Sequence, residues 1–322
     1  MNVKRTLKLL LAAAVVASPA AWAEYPDKPI TLIVPWAAGG GTDATARIIA
    51  SALEQELGQT INVVNRTGGS GVVGHTAIAN ARPDGYTLGL ATVELDMMHW
   101  QGLTSLTYQD FTPIGQINFD SASLSVGEDS PFKDLEDFVA QVKSHPAGTY
   151  TASGTGLGGI WHVALNGFLM DQGIAAGKLT WIPSQGSAPA MTELASGSID
   201  VVASSLPEAR AMIEAGEIRS LGVMTPERLS GFPDIPTFHE QLGSDFSLGA
   251  WRGVVGPKGL DEAVVQRLET ALKTAYDSDA YQNFMAKQGY GVVWRDADGF
   301  ATLMAEDDAK FGEIMKQMGL AH

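Results

Sequence analysis

The sequence of 322 residues contains no cysteine. That absence excludes disulfides, thiolate nucleophiles, iron–sulfur clusters and cysteine-ligated zinc, and leaves the redox compartment open. Basic side chains are scarce, with 21 Lys and Arg against 36 Asp and Glu, for a formal net charge of −15. So negative a chain with no basic cluster is a poor partner for nucleic acid or an anionic membrane. His75, His99, His145, His162, His239 and His322 never recur one helical turn apart, so no metal site is expected.

Catalytic and nucleotide motifs are missing as well. Gly39-Gly40-Gly41-Thr42 lacks the lysine of a phosphate loop. Gly68-Gly69-Ser70-Gly71-Val72 carries Val where a nucleophile elbow ends in Gly. Gly154-x-Gly156-x-x-Gly159 matches the dinucleotide fingerprint in form, but Ile182-Pro183-Ser184-Gln185 stands where the ribose-binding acid belongs. The expectation is therefore no cofactor and no enzyme. A secreted hydrolase of esters or amides is the competing class, with no motif in its favour.

What is present begins with an address. Lys4, Arg5 and Lys8 precede the apolar run Leu9–Ala17, and Ala21-Trp22-Ala23 has the small-x-small pattern of a signal peptidase site. The reading is a signal peptide over 1–23, cleavage after Ala23 and a periplasmic mature chain of net charge −18. No later run reaches the ~18 apolar residues of a membrane span.

From residue 30 onward, short β-branched runs alternate with helical periods. Ile30–Val34, Ile61–Val64 and Thr87–Ala91 read as strands, and Ala46, Ile49, Ala50, Leu53 and Leu57 mark a helix ending at Gly58. The alternation recurs from Tyr150 to Val223, and Ile114–Val126 between the two units is strand-like with polar interruptions. The fold expected is α/β and two-lobed, each lobe a mainly parallel sheet flanked by helices, with a ligand cleft between them. Lobe 1 takes residues 24–122 and 248–322, and lobe 2, inserted in it, takes 123–247.

Two glycine-rich strand-to-helix loops, Pro35–Asp43 and Ser153–Gly159, are the candidate site. Glycine admits close approach of a ligand to the backbone, and first-turn N–H groups with the helix dipole favour an anion. Trp36 reads as a cleft wall. Thr92, Ser184 and Ser204, at strand ends, read as uncharged donors or as ordinary loop solvation. Asp43 stands between a dipole-stabilising role and ligand contact, and His162 reads first as a cap or core histidine. A valine at Gly39 is expected to fill the ligand's space.

Tyr25-Pro26-Asp27-Lys28-Pro29-Ile30, Val34-Pro35-Trp36-Ala37-Ala38-Gly39-Gly40, Leu57-Gly58-Gln59 and Pro83-Asp84-Gly85-Tyr86-Thr87-Leu88 resemble the extracytoplasmic solute receptors of tripartite tricarboxylate transporters, the Bug-type binding proteins. Gly186-Ser187-Ala188-Pro189-Ala190, Ala215–Leu221 and Phe232–Thr237 continue the resemblance over nearly the whole mature chain. It implies a type II-like periplasmic binding protein. Such a protein closes on a small organic carboxylate and passes it, as a monomer, to the transporter's membrane subunits or, less expectedly, to a sensor. It implies that Trp36, Ala38, Gly39, Thr42 and Asp43 of the first loop and Ser153, Thr155, Gly156 and Leu157 of the second hold the carboxylates. Many members carry Phe-Asp-Asn where this chain has Ala203-Ser204-Ser205, so an acid facing the ligand is expected to be missing. Di- or tricarboxylates are favoured on that ground, gripped without a cationic side chain.

Overall fold

The structure is a computed structural model and describes residues 25–321, so the signal-peptide reading lies outside the described residues. Strands and helices alternate as β1 (Ile30–Val34), α1 (Gly41–Leu57), β2 (Ile61–Asn65), α2 (Val72–Ala79) and β3 (Thr87–Thr92). They are followed by β4 (Phe111–Gly127), α3 (Leu135–Ser144), β5 (Thr151–Ser153), α4 (Ile160–Asp171), β6 (Thr180–Trp181), α5 (Ser187–Ala195) and β7 (Val201–Ser205). The chain continues through α6 (Leu206–Glu214), β8 (Ile218–Val223), α7 (Phe238–Leu242) and β9 (Gly249–Pro257). It ends with α8 (Glu262–Asp277), α9 (Asp279–Gln288), β10 (Val292–Arg295) and α10 (Ala297–Gln317). None of these helices is long and apolar enough to cross a membrane.

Local sequence explains the first unit. In β1, Ile30, Leu32 and Val34 on one face and Ile33 on the other are all buried, as in a strand covered on both sides. Helix α1 buries Ala46, Ile49, Ala50, Leu53 and Leu57, and stops at Gly58, whose φ of 64° is left-handed and costs glycine little.

The strands form one path, β2-β1-β3-β9-β4-β7-β5-β6, with β8 and β10 also paired to β4. Pairing is parallel in β2-β1-β3 and β6-β5-β7. It is antiparallel around β4 and β9, because the chain leaves for the second lobe along one and returns along the other. Strand β4 serves both lobes. Phe111–Ser121 pairs with β9, and Ala122 onward pairs with β7 and β8. The Ala122 N–H donates to the Leu248 carbonyl at 2.8 Å, so the outgoing and returning chains touch where β4 changes partners.

The polar interruptions in β4 have partners. Asn118 Nδ2 donates to the Gly291 carbonyl at 2.7 Å, and Asp120 accepts from the Gly291 N–H at 2.8 Å and pairs with Arg252. Four elements go beyond the sequence reading: α3, α7, α9 and β10. Helix α3 begins at Asp134, whose side chain accepts the Asp137 N–H at 2.8 Å, and buries Leu135, Phe138, Val139 and Val142. One apolar core gathers β1, α1, α8 and α9, through Leu32, Ile49, Leu53, Leu272 and Tyr281. A larger one joins α3, α4 and α10 through Phe132, Phe138, Phe168, Phe300 and Phe311. At about 1.5–3 kcal/mol for each buried side chain, these cores hold the strand ends that build the site.

Candidate functional site

The carboxyl ends of β1, β3, β5, β6 and β7 open on one narrow cavity. Its wall takes Trp36, Thr42, Thr92, Glu94 and Arg252 from the first lobe. Thr155, Ile160, Trp161, Ser187 and Glu208 come from the second. Three helices present their N-termini to it: α1 at Gly41 and Thr42, α4 at Ile160 and Trp161, and α5 at Ser187. Their first-turn N–H groups have no acceptor in their own helix and carry the positive end of the dipole.

Two of those amides are already engaged across the lobes. Gly41 N–H donates to Glu208 Oε1 at 3.0 Å, and Ile160 N–H donates to Glu94 Oε1 at 3.2 Å. Glu208 is held from its own helix, where Ser205 donates to Oε2 through its N–H at 3.3 Å and its hydroxyl at 3.1 Å. Glu94 is fixed by a relay in which Trp36 Nε1 donates to Thr92 Oγ1 at 3.1 Å and Thr92 donates to Glu94 Oε2 at 2.5 Å. Burial pushes the Glu94 carboxyl above its ordinary value, and the Thr92 hydroxyl and Ile160 amide partly offset it.

Arg252, on β9, is 2% exposed. Its guanidinium donates to Thr42 Oγ1 at 2.9 Å and Asn118 Oδ1 at 2.5 Å, pairs with Asp120, and lies 3.5 Å from Glu208. Burial works against its charge, and Asp120 and Glu208 more than restore it. Arg252 is thus spent on the protein's own acids. Two hydroxyls on the wall are not spent: Thr155 Oγ1 and Ser187 Oγ are buried without a partner.

Of the residues singled out from sequence, Trp36, Thr42, Thr92 and Thr155 line the cavity. The others surround it in different capacities. Asp43 accepts from Gly39 N–H (3.0 Å), Arg47 Nε (3.0 Å) and Asn65 Nδ2 (2.9 Å), and those donors hold its carboxyl below the usual range despite burial. It braces its own loop. Ala38 and Gly39 are exposed at the rim, and a Cβ on Gly39 would meet only Ala188, at 3.9 Å. Gly39 has φ of 85°, so the expected valine effect becomes backbone strain.

Ser153 donates to Ile182 O (2.7 Å), tying the end of β5 to that of β6, whereas Ser184 donates to Gly186 O (3.0 Å) within its own loop and Ser204 to the adjacent Ser205 O (3.2 Å) within β7. Gly156 and Leu157 meet Ser70 of the opposite lobe, whose hydroxyl donates to Leu157 O at 3.3 Å. His162 accepts the Gly158 N–H at 3.1 Å, and burial lowers its pKa to about 4, which is a loop cap.

The missing acid is a point of difference. Ser204 and Ser205 do stand at the end of β7, but Glu208 brings a carboxylate to the wall one helical turn on, and Glu94 brings another. Glu94, Glu208 and Arg252 went unread because each is single and unmotivated in sequence. The one available signal was Ser205-x-x-Glu208, a capping box.

The family model described as Tripartite tricarboxylate transporter family receptor matches residues 45–320. The chain belongs to this family. Its members are periplasmic solute receptors, not enzymes. Three solved structures are similar to the receptor over nearly their whole length. The periplasmic binding protein BugD superposes with a TM-score of 0.86 at 26% identity, over 92% of this chain and 99% of its own. A Rhodopseudomonas palustris protein with adipate gives 0.86 at 27% identity over the same shares. MatC from the same organism, with bound malate, gives 0.83 at 27% over 90% of this chain and 99% of its own.

Proposed function

We propose that this receptor captures a small organic carboxylate between its lobes and delivers it to the membrane subunits of a tripartite tricarboxylate transporter. The observation that carries the reading is the pair of buried, unpartnered hydroxyls, Thr155 and Ser187, beside helix N-termini converging from both lobes. A carboxylate completes both hydroxyls and the free first-turn amides of α5 without a cationic side chain. Malate and adipate in the two R. palustris proteins support this class of ligand.

Lobe 1 (24–122 and 248–322) and lobe 2 (123–247) act as the two rigid bodies, working as a monomer and bending where β4 changes partners and β9 returns. Closure brings together Ala37 N–H with Gln185 O (3.2 Å) and Gln101 Nε2 with Gly158 O (3.1 Å), beside the Gly41–Glu208 and Ile160–Glu94 contacts. The exported chain begins at Glu24, which N-terminal sequencing of periplasmic material checks.

Native mass spectrometry of protein purified without dialysis is expected to release an unchanged organic acid. In calorimetry, Thr155→Val and Ser187→Ala each weaken that acid about tenfold, equivalent to ~1.4 kcal/mol. Full affinity in both variants would remove the site from this cavity.

A further inference from the structure

The receptor reading leaves open which acid is bound, and the partners of the wall narrow it. Of the three helix N-termini, α1 gives its Gly41 amide to Glu208 and α4 gives its Ile160 amide to Glu94. Only α5 faces the cavity with no acidic side chain on its first amides, and its unpartnered Ser187 hydroxyl stands with them, while the unpartnered Thr155 hydroxyl lies on the same wall beside Gly159, the N-cap of α4. That is a seat for one carboxylate. The rest of the wall offers acceptors. Glu94 has two oxygens with room for about four hydrogen bonds and takes two, from Thr92 and Ile160. Glu208 takes Gly41 on one oxygen and Ser205 on the other. The cation on the wall, Arg252, is matched by Asp120 and Glu208. A ligand's second carboxylate would therefore meet two acids in a site where water does not screen them.

Resting on the receptor reading, we propose that the ligand is a small monocarboxylate whose far end is a hydrogen-bond donor, an ammonium or a primary amide, accepted by Glu94. Its carboxylate sits at Ser187, Thr155 and the α5 amides. Glu208 sets the sign of the far end by repelling a second anion. The relay from Trp36 through Thr92 holds the Glu94 carboxylate at the wall, so it meets the donor without reorganising.

The test is calorimetry on the purified protein at about pH 8, where free carboxylic acids are ionised. The probes are succinate, glutarate and adipate, each against its half-amide and the ω-amino acid of matching length. The expected result is that at one length the half-amide or amino acid binds at least about tenfold tighter than the diacid. Glu94→Gln, which puts an NH2 group on the wall, shrinks or inverts that ratio. Glu208→Gln raises diacid affinity and serves as the second variant if Glu94→Gln does not unfold cooperatively. A diacid that equals or exceeds its half-amide in the wild type overturns the proposal, as does a ratio unmoved in both variants. If diacids bind and are merely indifferent to the substitutions, the receptor reading stands and this one falls. If no acid of any length binds, the receptor reading itself falls.

Discussion

Arg252 is the most constrained residue of the cleft, because its charge answers Asp120 and Glu208, whose side chains are only 1% and 5% exposed. Arg252→Met removes the cation and leaves both acids uncompensated, so an unfolding free energy lower by about 3–5 kcal/mol is expected in urea titrations. Asp96 presents the opposite case. It is fully buried, neither oxygen has a partner, and burial, then Asp307 and Asp308, raise its pKa well above the ordinary carboxylate range. The folded state then holds a proton that the unfolded chain, with a pKa near 3.9, gives up. Stability contributed by protonated Asp96 is intact below about pH 4 and declines as pH rises through the folded value. Asp96→Asn should flatten that decline and stabilise the protein at about pH 8 by at least ~1 kcal/mol, measured as the pH dependence of urea midpoints. An unchanged slope would exclude Asp96 as its source.

Among the elements, the loop between β5 and α4 shows what its glycines are for. A Cβ on Gly154 would come within 2.4 Å of the Ala203 carbonyl, a contact inside the second lobe. One on Gly156 would come within 2.1 Å of Ser70 Oγ and 2.8 Å of Ser70 Cα, a contact between lobes. Gly156→Val therefore opposes closure while leaving each lobe packed. Ligand affinity should drop by tenfold or more, about 1.4 kcal/mol, with little change in thermal midpoint. Ser70 itself has a left-handed φ of 55°, so Ser70→Gly relieves strain, clears the path and should restore part of the affinity lost in Gly156→Val. The dinucleotide-like spacing of this loop is thus a record of two close approaches and a helix N-cap at Gly159.

For the whole molecule, the net charge of −15 works against an anionic ligand until it is inside the cleft. Stopped-flow association of a net-anionic acid such as a half-amide should accelerate as ionic strength rises from about 0.01 M to about 0.15 M, where the screening length shortens to ~8 Å. A rate that falls with salt would mean that a positive local field, rather than the fixed amides, guides entry. Closure about β4 and β9 also predicts a smaller radius of gyration in solution scattering when ligand is added.

The strand and helix runs, the glycine caps and the two loops at the strand ends were legible in the sequence because short-range periodicity and backbone conformation decide them. Val34–Trp36 leads into α1, and Ser153–Gly159 into α4, as their pattern requires. Helix α3 was equally periodic and capped, and needed only the spacing of Leu135, Phe138, Val139 and Val142 to be read. The antiparallel joins, and which polar groups share a cavity, are long-range pairings that no local pattern encodes. Glu94 meets Ile160 across 66 positions and Gly41 meets Glu208 across 167, so tertiary structure alone decided that both acids line the cavity. Chain order determined where amides would be free; folding across the lobes determined which of them the protein's own carboxylates would take.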